Sequence, residues 1–435
     1  MKFASLQLGG WRQFQKIEID FHDRMTIITG ANGSGKSTIL RLLASHFGWQ
    51  NQLLSTPTDA KEGGLRYFHG AHRKLLRKMF SQNVNRVQNG VAQQAVQQQS
   101  VILIGAIKYS NGISSEIGVP EHAGVNYNAQ LTAQQVVPGL YIPSHRQVSN
   151  YQQVISIPTN PVDANFAYQV YFQALLHRYN NNLNPQIPSP MYRMKEALIA
   201  MATFGPGNQF VPKNERVAGL FEHFKEILKE LLPTSLGFEY IGVRVPDLVL
   251  VTKTGDFLLD SASGGLMSII DLAWQIFLYS QNQTEFIVAL DEPENHLHPS
   301  MQREVLAKLL AAFPGVQFVI ATHSPFIVSS VKDSAVYALQ YGDSSEADLP
   351  TNRSVSSTRL DLHSRASSAS DILREVLGVP VTLPIWAEDE LERISARFAT
   401  ADLNEIGIAQ LRGELALAGL GDFYPEALAK VTSGQ

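Results

Sequence analysis

Hydrophobic and polar positions divide the chain into blocks of two periods. Phe3-Ala4-Ser5-Leu6-Gln7-Leu8 and Ile17-Glu18-Ile19-Asp20-Phe21 alternate with a period of two on either side of Gly9-Gly10-Trp11-Arg12. This predicts two strands and a turn, forming a small antiparallel sheet ahead of the glycine-rich stretch at 30–38. Residues 24–29 read as a short buried strand and 39–45 as the helix that follows. Val101–Ile107 and Gly139–Pro143 read as buried strands bounded by glycine and proline. Ahead of these two the composition shifts: 65–80 predicts a basic helix carrying Arg66, His69, His72, Arg73, Lys74, Arg77 and Lys78, followed by a Gln- and Asn-rich stretch to about Ser100.

From 163 to 235 the period changes to three and four. Phe166–Tyr179, Met191–Ala202 and Val217–Leu232 predict helices, broken by turns such as 180–190, too short for a sustained coiled coil. Strand character returns at Phe238–Val243 and Leu248–Lys253. A helix follows over Met267–Tyr279, then buried strands at Phe286–Leu290 and Val316–Ala321. Beyond 341 the chain is Ser-rich from Ser354 to Ser370 and then helical to about Lys430.

Composition narrows the classes. The chain has 435 residues, 44% hydrophobic and 17% charged, which is globular in character. A net charge of −4 gives no global drive toward nucleic acid, and a local basic patch over 66–78 leaves that contact open. With no cysteine, disulfides, thiolate metal sites and cysteine nucleophiles are excluded. No run of eighteen apolar residues occurs, so no spanning helix is expected, and the start has no signal-peptide layout; a soluble, cytoplasmic protein is expected.

The chemistry concentrates between the strand over 24–29 and the helix over 39–45. Gly30-Ala31-Asn32-Gly33-Ser34-Gly35-Lys36-Ser37-Thr38 matches Gly, four free positions, Gly, Lys, Ser. A glycine loop between strand and helix aims backbone N–H groups and a helix N-terminus at one point, which suits a polyphosphate. Lys36 supplies a point charge for the β- and γ-phosphates, and the Ser37 hydroxyl a ligand for Mg²⁺. Trp11 and Arg12, in the turn ahead, are open to a nucleotide base or to plain packing.

Four other stretches complement this loop. Ser263 caps a helix that starts with Gly264-Gly265, leaving backbone open to phosphate. The strand over 286–290 ends in Asp291-Glu292-Pro293, placing one carboxylate for Mg²⁺ and a second to polarise water. His296 and His298 lack the further ligands that zinc needs. Val316–Thr322 leads to His323, placed to hydrogen-bond a γ-phosphate. In addition, Ser144-His145-Arg146-Gln147 follows a strand end, where open α/β sheets keep ligands.

In this order (phosphate loop, Ser-Gly-Gly, apolar-Asp-Glu-Pro, Thr-His-Ser) the chain resembles ABC-type ATPase heads. Asp-Glu-Pro-Glu-Asn-His-Leu-His-Pro from 291 and Ala-Thr-His-Ser-Pro-Phe-Ile from 321 are similar to the non-transporter branch. That branch holds the RecF and SMC proteins and the overcoming-lysogenization-defect ATPases of antiphage defence. The resemblance covers roughly 1–50, 101–147 and 240–340. It implies an α/β P-loop NTPase with an ABC-type head over 1–340, a basic and polar insertion at 51–100 and an inserted helical subdomain at about 163–235. A Ser-rich linker and helical C-terminal region would fill 341–435.

The resemblance further implies ATP and Mg²⁺ as cofactors and a homodimer or higher oligomer with ATP sandwiched between heads. Gly30, Asn32, Gly33, Ser34, Gly35, Lys36, Ser37 and Thr38 would hold the nucleotide in one subunit, facing Ser263, Gly264 and Gly265 of the other. Glu292 would be the hydrolytic base, His323 the switch histidine, and Ser37, Asp291 and Gln147 the metal contacts. The signature departs from Leu-Ser-Gly-Gly-Gln at Ala262 and Leu266. A Toprim nuclease motif is not apparent, since Asp361-Leu362-His363 breaks its Asp-x-Asp. The C-terminal region is similar to that of Septu-type defence ATPases, which work with a separate HNH nuclease. The expected function is therefore an ATPase that senses for, scaffolds or regulates a separately encoded nuclease. The alternative is a RecF- or SMC-like ATPase with ATP-dependent DNA binding; a transporter subunit is disfavoured by the inserted helices.

Overall fold

The computed structural model describes residues 1–49, 52–59, 65–72, 76, 101–122, 124–145, 151–159, 163–179, 187–343, 353–360, 372, 384–398 and 404–433. It divides into two compact units, Met1–Ala369 and Ser370–Gln435. The first unit is built on a sheet that counts eleven strands among the described residues. In order across the sheet they are Gln130–Leu131, Ser114–Pro120, Val101–Tyr109, Phe3–Trp11, Phe14–Asp20, Arg353–Leu360, Ala335–Asp343, Met25–Gly30, Val316–Thr322, Phe286–Asp291 and Gly139–Ile142.

The last five strands are parallel. Four of them, Met25–Gly30, Phe286–Asp291, Val316–Thr322 and Gly139–Ile142, are buried at every position. That is why they read as continuous apolar runs rather than alternating ones. The strands from Gln130–Leu131 to Phe14–Asp20 are antiparallel, and buried and exposed positions alternate over Ile17–Asp20. The pair at the start of the chain is thus no separate small sheet; Phe14–Asp20 lies parallel to Arg353–Leu360 and joins both halves.

Helices supply the second layer. Lys36–Ala44 buries Ile39, Leu40, Leu42 and Leu43. Gly264–Ser280 is buried along most of its length, because the inserted helices cover it. Those are Ala164–Tyr179, Pro190–Phe204 and Glu215–Leu231. Ser189 and Asn214 cap the latter two by accepting from the N–H groups of Tyr192 and Val217. Val217, Leu220, Phe221, Phe224, Ile227, Leu228 and Leu231 make one buried stripe on the third. Phe224 fills the joint, its ring centroid 4.9 Å from Trp274 and 5.2 Å from Phe277. Among the described residues no helix is long and apolar enough to cross a membrane.

Two further expectations are corrected, and one open alternative is decided. The basic helix over 65–80 begins as a strand, Leu65–Phe68, paired antiparallel with Thr56–Asp59. Tyr67 and Phe68 favour a pleated pairing that overrides the helical spacing; Arg73, Lys74, Arg77 and Lys78 lie outside the described residues. Second, the boundary at 340 falls inside a strand. The hairpin Ala335–Asp343 and Arg353–Leu360 belongs to the main sheet, so the head continues through part of the expected linker. Serine there bonds instead of bending: Ser357 Oγ accepts from the Glu18 N–H at 2.8 Å and donates to its carbonyl at 3.0 Å. Trp11 is fully buried at a strand end, its indole N–H donating to the His69 carbonyl at 3.1 Å. Arg12 donates to the Tyr127 hydroxyl and the Leu54 carbonyl, so both residues are engaged in packing.

The second unit is described by three helices, Ile385–Ser395, Glu405–Leu417 and Tyr424–Ser433. They close on a core that includes Leu391, Ile394, Leu411, Leu415 and Val431.

Candidate functional site

Strand Met25–Gly30 drives the chain into the phosphate loop at the C-terminal edge of the parallel strands. Gly30, Gly33 and Gly35 take φ values of 145°, 81° and 100°, which side chains resist. At Gly35 a Cβ would also stand 2.4 Å from the Phe14 ring. Ser34 is buried, while Asn32 and Gly33 are exposed and Ser37 and Thr38 half-buried. Helix Lys36–Ala44 has no side-chain cap on its first turn, so its leading N–H groups are open to an anion.

Lys36 is buried. Its ammonium curls back to the carbonyls of Gly30 at 2.8 Å and Ala31 at 3.1 Å. Burial holds its pKa below the ordinary lysine value, while Glu292, Asp291 and Glu294 pull it up. The lysine thus faces three carboxylates across the loop.

Those carboxylates sit past the neighbouring parallel strands. Asp291 is 2% exposed and hydrogen-bonded to Ser37, and its Oδ1 has no partner among the described residues. Burial raises its pKa, with the Ser37 bond acting against the shift. An orphaned buried carboxylate oxygen beside a serine hydroxyl fits one hard cation with two protein ligands, the way Mg²⁺ binds with phosphates and water completing its shell. The residues present therefore fit Mg²⁺.

Glu292 turns the chain at φ 47°, a left-handed conformation rare for a side-chain-bearing residue. Its Oε2 accepts from Asn295 at 3.1 Å, and the same Asn295 amide reaches the Ser144 carbonyl at 3.1 Å. Its Oε1 lies 3.3 Å from His323 Nδ1. The structure thus brings Lys36, Ser37, Asp291, Glu292 and His323 to one place.

Glu294 is the residue that sequence reading passed over. Its Oε1 accepts the Thr322 hydroxyl at 2.6 Å and the His323 backbone N–H at 3.0 Å, and stands 3.4 Å from His323 Nδ1. A third acid within four residues is the only sequence trace of this. His298 caps its own helix, accepting from the Ser300 N–H at 3.3 Å.

Ser263 caps helix Gly264–Ser280 by accepting from the Leu266 N–H at 3.5 Å. Gly264 and Gly265 lie against His296: a Cβ on Gly265 would stand 2.7 Å from the His296 carbonyl oxygen. Gly264 shares with Ser37, Arg41, Tyr141, Asp291 and His296 the lining of a cavity of about 410 Å³. Gln147 lies outside the described residues. Of the basic stretch, His69 is buried, its Nδ1 accepting from the Ala71 N–H at 3.1 Å, and burial lowers the pKa of His72.

The parallel core, the phosphate loop and the acidic strand end define a P-loop ATPase head of the ABC type. A family model described as an AAA domain matches residues 5–134, and one described as an AAA ATPase domain matches residues 176–328. The chain is 35% identical over 94 residues to the Septu protein PtuA of Bacillus mycoides (strain KBAB4), covering 20% of this chain and 13% of that protein. It is 30% identical over 101 residues to the Retron Ec83 probable ATPase of Escherichia coli, covering 22% and 19%. A Septu protein PtuA of Bacillus thuringiensis is 24% identical over 170 residues, covering 36% and 42%. The matches therefore span less than half the length of each of these relatives. The SMC head domain from Thermotoga maritima superposes with a TM-score of 0.40 at 13% identity, covering 83% of this chain and 100% of that one.

Proposed function

We propose that this chain hydrolyses ATP with Mg²⁺ between two paired heads, and that its nucleotide state regulates a separately encoded nuclease in prokaryotic antiphage defence. The observation that carries the catalytic part is the meeting of Lys36, Ser37, Asp291 and Glu292 around one buried, half-satisfied carboxylate. Lys36 and the loop N–H groups hold the β- and γ-phosphates. Ser37 and Asp291 would hold Mg²⁺, which would supply positive charge against those phosphates. Glu292, aimed by Asn295 and its left-handed backbone, takes the proton of the attacking water. His323, placed by Glu294, lies beside Glu292, where it hydrogen-bonds the γ-phosphate.

The Ser263–Gly265 turn would face the nucleotide of the second head. The defence role is supported by the kind of relatives: Septu proteins and retron ATPases share the matched segments. Affinity purification of the tagged chain from its native host, wild type against Glu292→Gln, tests that role. Co-purification of a nuclease whose retention changes with the substitution fits it. Recovery of only DNA or replication proteins, unchanged by the substitution, contradicts it and favours a repair ATPase.

A further inference from the structure

Lys195 is a cation with no exposed surface, and it stands outside the nucleotide site. It lies on helix Pro190–Phe204, and its ammonium donates to both carboxylate oxygens of Asp260, at 3.0 and 2.8 Å, and to the Gln152 carbonyl at 2.6 Å. Asp247 Oδ1 stands 3.7 Å away, and the Tyr151 ring lies 4.9 Å from the ammonium. Tyr151 closes the cluster by donating its hydroxyl to Asp247 Oδ2 at 3.1 Å. The Gln152 side chain accepts from the Ser189 N–H, at the cap of the same helix.

Burying an ammonium this deeply is costly, and a well-packed apolar group of similar size is often as stabilising as a buried ion pair. Stability alone therefore does not account for a lysine here; the identity of its partners does. Asp260 stands three residues before the Ser263 cap, on the turn that delivers Gly264 and Gly265. Tyr151 and Gln152 belong to the segment that follows Gly139–Ile142, the strand paired with the Asp291 strand. On its other flank the Gly264–Gly265 turn leans on His296, in the loop that carries Glu292 and Glu294.

We infer that Lys195 is a positioning residue: it fixes the 260–265 turn from the side of the helical insertion and ties it to the segment leaving the catalytic sheet. The inference rests on the reading of Ser263–Gly265 as the surface that meets a second head's nucleotide. Lys195 does not touch the phosphate loop. Losing it leaves the ATP affinity of a single head intact and disrupts the pairing of heads.

The test uses the full chain carrying Glu292→Gln, with mass measured by light scattering with and without Mg-ATP, and binding of a fluorescent ATP analogue measured in parallel. Lys195→Met and Asp260→Asn, each added to that background, weaken ATP-dependent pairing at least about tenfold, while nucleotide affinity measured at protein concentrations too low for the heads to pair changes less than about twofold. Lys195→Arg restores pairing, because its guanidinium keeps a forked grip on Asp260. If Lys195→Met does not fold, Asp260→Asn decides, since it leaves Lys195 its Gln152 and Asp247 contacts. Absence of ATP-dependent pairing in Glu292→Gln itself overturns the sandwich reading and the role of Lys195 with it. Full pairing in both added variants overturns the role of Lys195 alone.

Discussion

Asp291→Asn separates what the site costs the fold from what it does. Asp291 ends a strand without an exposed residue, and its Oδ1 has no partner among the described residues. Burial raises its pKa above the ordinary carboxylate value. The folded chain thus keeps this proton over a pH window in which the unfolded chain has released it. The contribution of Asp291 to stability is most favourable on the acid side and is lost as pH rises through the raised value. Above that raised value the ligand-free head carries an ionised, half-satisfied carboxylate, and an unpartnered buried polar atom costs about 1–3 kcal/mol. A neutral amide recovers part of that, on the order of 1 kcal/mol, or about 2 °C or less for a chain of this length.

Nucleotide-free Asp291→Asn is therefore expected to melt slightly above wild type at pH values above the raised Asp291 value, with the gap closing as pH falls through it. Saturating Mg-ATP reverses the order. Wild type gains about 2.7 kcal/mol at a hundredfold excess over Kd, and the variant loses the share that depends on Mg²⁺. Thermal melting across a pH series, with and without Mg-ATP, reads both effects. A variant that melts below wild type at every pH without ligand, or gains as much from Mg-ATP, refutes the reasoning.

Three further substitutions probe other parts of the account. Gly35→Ala places a Cβ against the Phe14 ring at φ 100° and should cost about 1–3 kcal/mol along with nucleotide binding; unchanged melting and ATP titration would argue against a strained loop. Phe224→Ala should cost about 3–5 kcal/mol in denaturant unfolding, and a loss under ~1 kcal/mol would mean that the helical insertion does not anchor on Trp274 and Phe277. Glu294→Gln keeps an acceptor for Thr322 and His323 but removes the charge, so kcat should fall on the order of tenfold with KM little changed. A change confined to KM would place Glu294 in binding instead.

The parts legible in sequence are those where one strong local rule acts. A strand buried on both faces is mostly apolar, so Met25–Gly30, Phe286–Asp291 and Val316–Thr322 stand out, and the phosphate loop is fixed by its glycines. Arg353–Leu360 was hidden because serines that bond to Glu18 and Gln15 across the sheet look like a linker. Leu65–Phe68 was hidden because its strand partner, not its own spacing, decides its form. Glu294 and Lys195 were illegible for a shared reason. Their work depends on Thr322, His323, Asp260 and Gln152, contacts that exist only once distant segments meet.

Steady-state phosphate release by the full chain with Mg-ATP, wild type beside Glu292→Gln, tests the central claim most directly. The account predicts turnover by wild type, and a variant that still binds ATP yet releases phosphate at least about a hundredfold more slowly, having lost its base. A Glu292→Gln protein that turns ATP over at the wild-type rate would contradict it.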